Sequence, residues 1–157
     1  MAVFLTDEQD EPVDLERLRR LAGFVMRDQG VAMMELSVGC VDRDTMAALH
    51  AEHLDGDGPT DVLAFPLDAP GDAPSDAPGR GSHGEPGLLG DVVLCPAVAS
   101  AQAPEHDRSP EAELDLLCVH GVLHLLGHDH HEPEERRVMF GLTDRLLADF
   151  AARASHA

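Results

Sequence analysis

Between residues 34 and 40 the chain alternates: Met34, Leu36, Val38 and Cys40 fall on one side and Glu35, Ser37 and Gly39 on the other. A period of two predicts a half-buried strand there. Before it, Leu15, Leu18, Ala22 and Val25 recur at helical spacing, with Gly30 as the stop. The apolar run at 2–5 predicts a short first strand. After the alternating segment, 42–54 predicts a second helix, with Asp42 or Asp44 as its cap. A turn-rich stretch leads into a short apolar strand ended by Pro66, and the apolar run 88–95 predicts a further strand stopped by Pro96. A short helix follows over 97–106. A longer one starts with Ser109 as cap, Pro110 in the first helical position and Glu111 and Glu113 at the positive end of the dipole. Gly127 stands where a left-handed C-terminal cap is expected. The last helix carries Met139, Leu142, Leu146 and Phe150 on one stripe. The order βαβαββααα predicts an α+β fold, a small sheet of about four strands packed with five to six helices.

Between the third and fourth strands the unit D-A-P-x recurs at Asp68, Asp72 and Asp76. The segment at about 67–87 is acidic, rich in Pro and Gly and poor in large apolar residues, which predicts a flexible insertion within a single domain spanning 1–157. The length of 157 residues and a hydrophobic content of 43% suit one core. No run is apolar for long enough to span a membrane and no basic-then-apolar leader opens the chain, so a cytoplasmic protein is expected. Cys40, Cys95 and Cys118 are odd in number and far apart, which predicts reduced, mostly buried thiols.

The formal net charge is −19, and all 11 basic residues are Arg. Such a balance favours solubility and opposes non-specific phosphate binding. A role on nucleic acid then needs either a local cation surface or a protein partner. Arg136, Arg137 and Arg145 either provide a positive cleft with a metal or pair with Glu along a solvated helix face.

The densest chemistry is HGVLHLLGHDHH at 120–131. His120 and His124 are the only polar side chains between Leu116 and Leu126. Four residues apart on a helix, they share a face. Gly127 lets the chain turn back, so His130 can add a third imidazole. Three His ligands and an open fourth position for water are the arrangement of a catalytic zinc site, one ion per chain. Satisfied histidines in a polar cleft, or a structural zinc, are the alternatives. The spacing H-x-x-x-H-x-x-G-x-x-H is also that of one class of zinc proteases, which place a Glu directly after the first His as general base. Here that position is Gly121, which either permits close packing or leaves space beside the metal. Glu134 and Glu135 either reach the site, with Glu135 a candidate catalytic group, or cap the last helix. Asp129 either orients a ligand or stabilises the turn, and Cys118 belongs to the core.

Several stretches carry a family resemblance. HGVLHLLGHDH is similar to the signature H-G-x-L-H-L-x-G-Y-D-H of the YbeY family, bacterial zinc-dependent endoribonucleases that mature ribosomal RNA. GPTDVLAFP at 58–66 resembles the family's P-T-D-V-L-S-F-P, and LLGDVVLCP at 88–96 its L-G-D-I-x-I-C segment. DHHEPEERRVM at 129–139 resembles its acidic stretch ending in Met. The resemblance implies a small mixed sheet with the metal site on a central helix. It implies zinc on His120, His124 and His130. It also implies single-strand-specific cleavage at the 3′ end of small-subunit ribosomal RNA and a part in ribosome quality control, with ribosomal RNA and small-subunit ribosomal proteins as partners. Thr60 and Asp61 match the motif and serve either as substrate contacts or in the turn. His128 stands for the family's Tyr and Ala64 for its Ser, and no Arg precedes the Pro59–Val62 stretch, where the family commonly has one. A non-catalytic ribosome assembly factor and a metalloprotease are the competing readings.

Overall fold

The computed structural model describes residues 2–54, 58, 60–67, 87–128 and 132–155. The alternating segment is strand β2 (Glu35–Val41), with Leu36, Val38 and Cys40 buried. Ahead of it come β1 (Ala2–Glu8) and helix α1 (Leu15–Asp28), which buries Leu18, Ala22 and Val25 as the helical spacing predicts. The first strand is longer than its apolar start. It runs on to Glu8 because every residue from Ala2 has a parallel partner on β2, Val3 facing Leu36 and Leu5 facing Val38. Helix α2 (Arg43–Leu54) follows, and its cap is Asp42, whose carboxylate accepts from the Thr45 amide at 2.8 Å.

Strands β3 (Val62–Pro66) and β4 (Leu88–Leu94) pair antiparallel, Ala64 opposite Val92. The expected insertion is the connection between them; its residues 68–86 lie outside the described residues. Since β4 also pairs parallel with β2, the sheet is mixed, with order β1-β2-β4-β3. The remaining elements are α3 (Pro96–Gln102), a 3-10 turn at Ala103–His106, α4 (Pro110–Leu125) and α5 (Pro133–Ser155). Among the described residues, five helices on a four-stranded mixed sheet make the α+β architecture expected from the element order.

Helix α4 lies at the centre. It packs on β3 and β4 and touches α1, α3 and α5. Its residues Leu117, Cys118, Val119, Val122, Leu123 and Leu125 join the main core with Val92, Leu94, Met139 and Leu146. Asp115 ties it to α1, accepting from Arg17 Nε at 3.0 Å and Nη2 at 2.8 Å. Burial pushes the Asp115 carboxyl above its usual range, more than the Arg17 hydrogen bonds lower it. A second, smaller cluster (Val41, Met46, Leu63, Cys95) sits under α2. All three cysteines are buried and free, and burial pushes the Cys40 and Cys118 thiols up to about 12. None of the described helices is long and apolar enough to cross a membrane.

Candidate active site

The site is built from the two ends of α4. At the start, Ser109 Oγ accepts from the Ala112 amide at 3.1 Å and Pro110 occupies the first turn. At the finish, Gly127 has φ +99. Its amide donates to the His124 carbonyl at 3.0 Å, and the His128 amide donates to the Leu123 carbonyl at 3.0 Å. These two bonds are the Schellman pattern, and the positive φ they need is why Gly stands there.

That turn also orients a histidine. His124 Nδ1 lies 3.0 Å from the His128 carbonyl oxygen. A carbonyl only accepts, so Nδ1 carries the proton and Nε2 carries the lone pair. Metal-bound histidines are held by the same device, one ring N–H on a backbone carbonyl and the other nitrogen facing the ion. His120, one turn earlier on the same face, has a buried Nε2 and lies flat against the Phe140 ring of α5, centroids 5.4 Å apart and planes 9° apart. His130 and Asp129 lie outside the described residues. Two of the three imidazoles expected to hold zinc are therefore described, and among the described residues no group of three His, Cys, Asp or Glu is placed to hold an ion. The donors that are described fit zinc: two imidazoles one helical turn apart, one in the tautomer that offers Nε2.

Gly121 has a steric explanation. A Cβ there would stand 2.6 Å from Val92 Cγ1, 3.1 Å from Val92 Cγ2 and 3.3 Å from Val62 Cγ2. The position faces the sheet, and its hydrogen lets α4 sit directly on β3 and β4. A Glu as general base has no room there, so close packing is the alternative the fold realises.

His120 opens on a cleft of about 470 Å³, within the range of ligand-binding clefts. Its polar lining is Asp61 just before β3, Gln102 of α3, His106 of the 3-10 turn, Arg108 of the loop after it and Glu113 of α4, with Thr143 and Asp144 from α5. Glu113 organises this wall. It is buried, yet its carboxylate accepts from Gln102 Nε2 at 2.9 Å, His106 Nδ1 at 3.0 Å and Arg108 Nη1 at 3.1 Å. Burial pushes its pKa up, but the hydrogen bonds from Gln102, Arg108 and His106 together outweigh it and hold the carboxyl below its usual range. Gln102 Nε2 also donates to Asp61 Oδ2 at 2.9 Å, which links β3 to the network.

Asp61 thus shares the cleft with His120, and Thr60 lies beside it, Oγ1 3.5 Å from Asp61 Oδ1. Glu134 and Glu135 are exposed in the first turn of α5, where Glu134 pairs with Arg137. Glu135 is not among the cleft-lining residues. Nor are Arg136, Arg137 and Arg145. Arg145 is committed elsewhere, to Asp28 at 2.8 Å and Asp149 at 3.3 Å. The cleft's guanidinium is Arg108, missed in the sequence together with His106, Gln102 and Phe140. The signal for Glu113 and Arg108 was thin: one reads as an ordinary first-turn acid, the other as a loop residue before a cap.

A family model described as Endoribonuclease YbeY matches residues 4–151. Among curated relatives named Endoribonuclease YbeY, the protein of Thermobifida fusca is 50% identical over 149 residues, 94% of this chain and 93% of that one. That of Nocardioides sp. is 47% identical over 156 residues, 98% of this chain and 100% of that one. Among solved structures, the solution structure of TM1509 from Thermotoga maritima shares the fold, with TM-score 0.60 and 21% identity over 99% of this chain and 95% of that one. With matches of this identity and extent, the chain belongs to the endoribonuclease YbeY family.

Proposed function

We propose that this protein is a zinc-dependent endoribonuclease specific for single strands. In this reading it matures the 3′ end of small-subunit ribosomal RNA in the cytoplasm and takes part in ribosome quality control, with ribosomal RNA and small-subunit ribosomal proteins as its partners. The observation that carries the reading is the His120–His124 face of α4, with the His124 ring fixed by the His128 carbonyl and His120 opening on the cleft. His120, His124 and His130 would hold the ion. When bound, zinc supplies a Lewis acid that stabilises charge building on a phosphoryl oxygen. The chain's own residues do the rest. The Schellman turn holds the tautomer of His124, the Phe140 ring limits rotation of His120, and the Glu113 network makes the cleft wall rigid. The protease reading loses its general base to the packing of Gly121 on Val92.

The test is cleavage of small-subunit precursor RNA by the purified chain. Cutting is expected with zinc, is abolished by a chelator and returns when zinc is restored. A protein that never cuts, together with normal rRNA maturation in a His124→Ala strain, overturns the reading. One observation favours a second reading, a non-catalytic assembly factor with structural zinc. The described cleft lining sets three carboxylates, Asp61, Glu113 and Asp144, against the single guanidinium of Arg108. A fourth protein ligand on the ion would support that reading, and an open coordination position would count against it.

A further inference from the structure

We propose, resting on the endoribonuclease reading, that Arg108 is the residue of the cleft that takes a backbone phosphate of the substrate, and that buried Glu113 is its positioning residue. Arg108 is the only Arg among the described residues lining the cleft. Its side chain is 38% exposed, and among the described residues it spends only Nη1, on Glu113. Nη2 and Nε therefore remain available on a guanidinium already anchored at one corner. An Arg fork fits a phosphate through two parallel N–H bonds, and anchoring one nitrogen removes much of the entropy cost of holding the rest.

The simpler role, a counter-ion for Glu113, explains less of the geometry. Glu113 also accepts from His106 and Gln102, and those bonds fix the carboxylate from the side of the 3-10 turn and α3. Three donors on one buried carboxylate make it a fixed post, 1% exposed, on the wall that also holds His120. A single anchored cation among carboxylates suits one phosphate at a defined place. It does not suit a track along many phosphates, which is consistent with the charge of −19.

The experiment uses the zinc-loaded full-length chain and two readouts. Anisotropy of a labelled single-stranded DNA oligonucleotide, which has the same phosphates but is no ribonuclease substrate, gives binding across a salt series. Single-turnover cleavage of single-stranded RNA separates half-saturation from the limiting rate. Arg108→Gln, whose amide can still bond Glu113, is expected to weaken binding about tenfold. Its plot of log K against log salt should flatten by about 0.7, the value of one lost single-strand phosphate contact. Arg108→Lys keeps the charge and should keep the slope, but without the fork it should bind at least several-fold more weakly. It also covers the case in which Arg108→Gln does not fold. Wild-type affinity and slope in Arg108→Gln, or wild-type affinity in Arg108→Lys, overturns the proposal and leaves Arg108 as a counter-ion. If the wild type binds the oligonucleotide and never cuts RNA, the endoribonuclease reading fails while the slope still decides Arg108. If it neither binds nor cuts, both fall.

Discussion

Gly121 shows how one side chain can decide which chemistry a motif permits. With a prospective Cβ 2.6 Å from Val92 Cγ1, Gly121→Ala must push α4 away from the sheet. The expected loss is about 1–3 kcal/mol in a urea melt, the usual range for overpacking. Val92→Ala in the same chain should return part of it, so the double mutant is more stable than the sum of the singles predicts. Strict additivity would mean that Val92 is not the obstacle. Glu113 gives a second residue-scale prediction, on pH. Its carboxyl is held below the usual value of 4.5, so the folded state releases this proton more readily than the unfolded chain. The stability from this group is fully present above pH 4.5 and is lost as pH falls through the lower, folded value. Glu113→Gln should therefore be less stable at neutral pH and show a flatter acid limb below pH 4.5, read from urea midpoints. An unchanged acid limb would mean that the donors on Glu113 do not favour its charged form.

At the scale of the element, α4 links stability to the His120–His124 face proposed to hold zinc. Gly127→Ala places a Cβ at φ +99 and should cost about 1–2 kcal/mol. Because the same turn carries the His128 carbonyl that fixes His124, it should also weaken zinc binding by on the order of tenfold, measured against a competing chelator. A variant that loses stability yet keeps wild-type zinc affinity would separate the turn from the site. This helix was also the most legible element. Ser109, Pro110, the apolar run and Gly127 give its start, burial and stop in one dimension, and the structure has all four. The alternation of β2 was as plain, whereas β1 was read short because Thr6, Asp7 and Glu8 carry no strand pattern and are ordered by pairing with β2. The cleft was not legible for a related reason. Gln102, His106 and Glu113 lie on three successive elements with Arg108 in the loop before the third, and their shared carboxylate exists only once α3 has folded back on α4. Arg136, Arg137 and Arg145 lie near the motif in sequence. α5 turns Phe140, Thr143 and Asp144 toward the cleft instead, and Arg145 ends on α1, beside Asp28.

Taken whole, the molecule has a formal charge of −19 to manage and, in the zinc reading proposed above, an ion to gain. Self-repulsion at that charge weakens the compact state, and added salt of any kind screens it. A zinc effect must therefore be read at constant ionic strength, with magnesium as the comparison. Imidazoles suit zinc, while magnesium seeks oxygen ligands and keeps its waters. An ion that binds only the folded chain stabilises it by about 4 kcal/mol at a free concentration a thousand times its Kd. For a chain of this size that is a Tm rise of roughly 8–16 °C. Zinc should give this rise, magnesium at the same ionic strength should not, and His124→Ala should lose most of it. The Arg108→Gln chain should keep the full rise, since Arg108 faces the cleft through Glu113 and is no part of the imidazole set. Equal shifts from zinc and magnesium would reduce the effect to charge screening. A full zinc shift in His124→Ala would place the ion somewhere other than the face of α4.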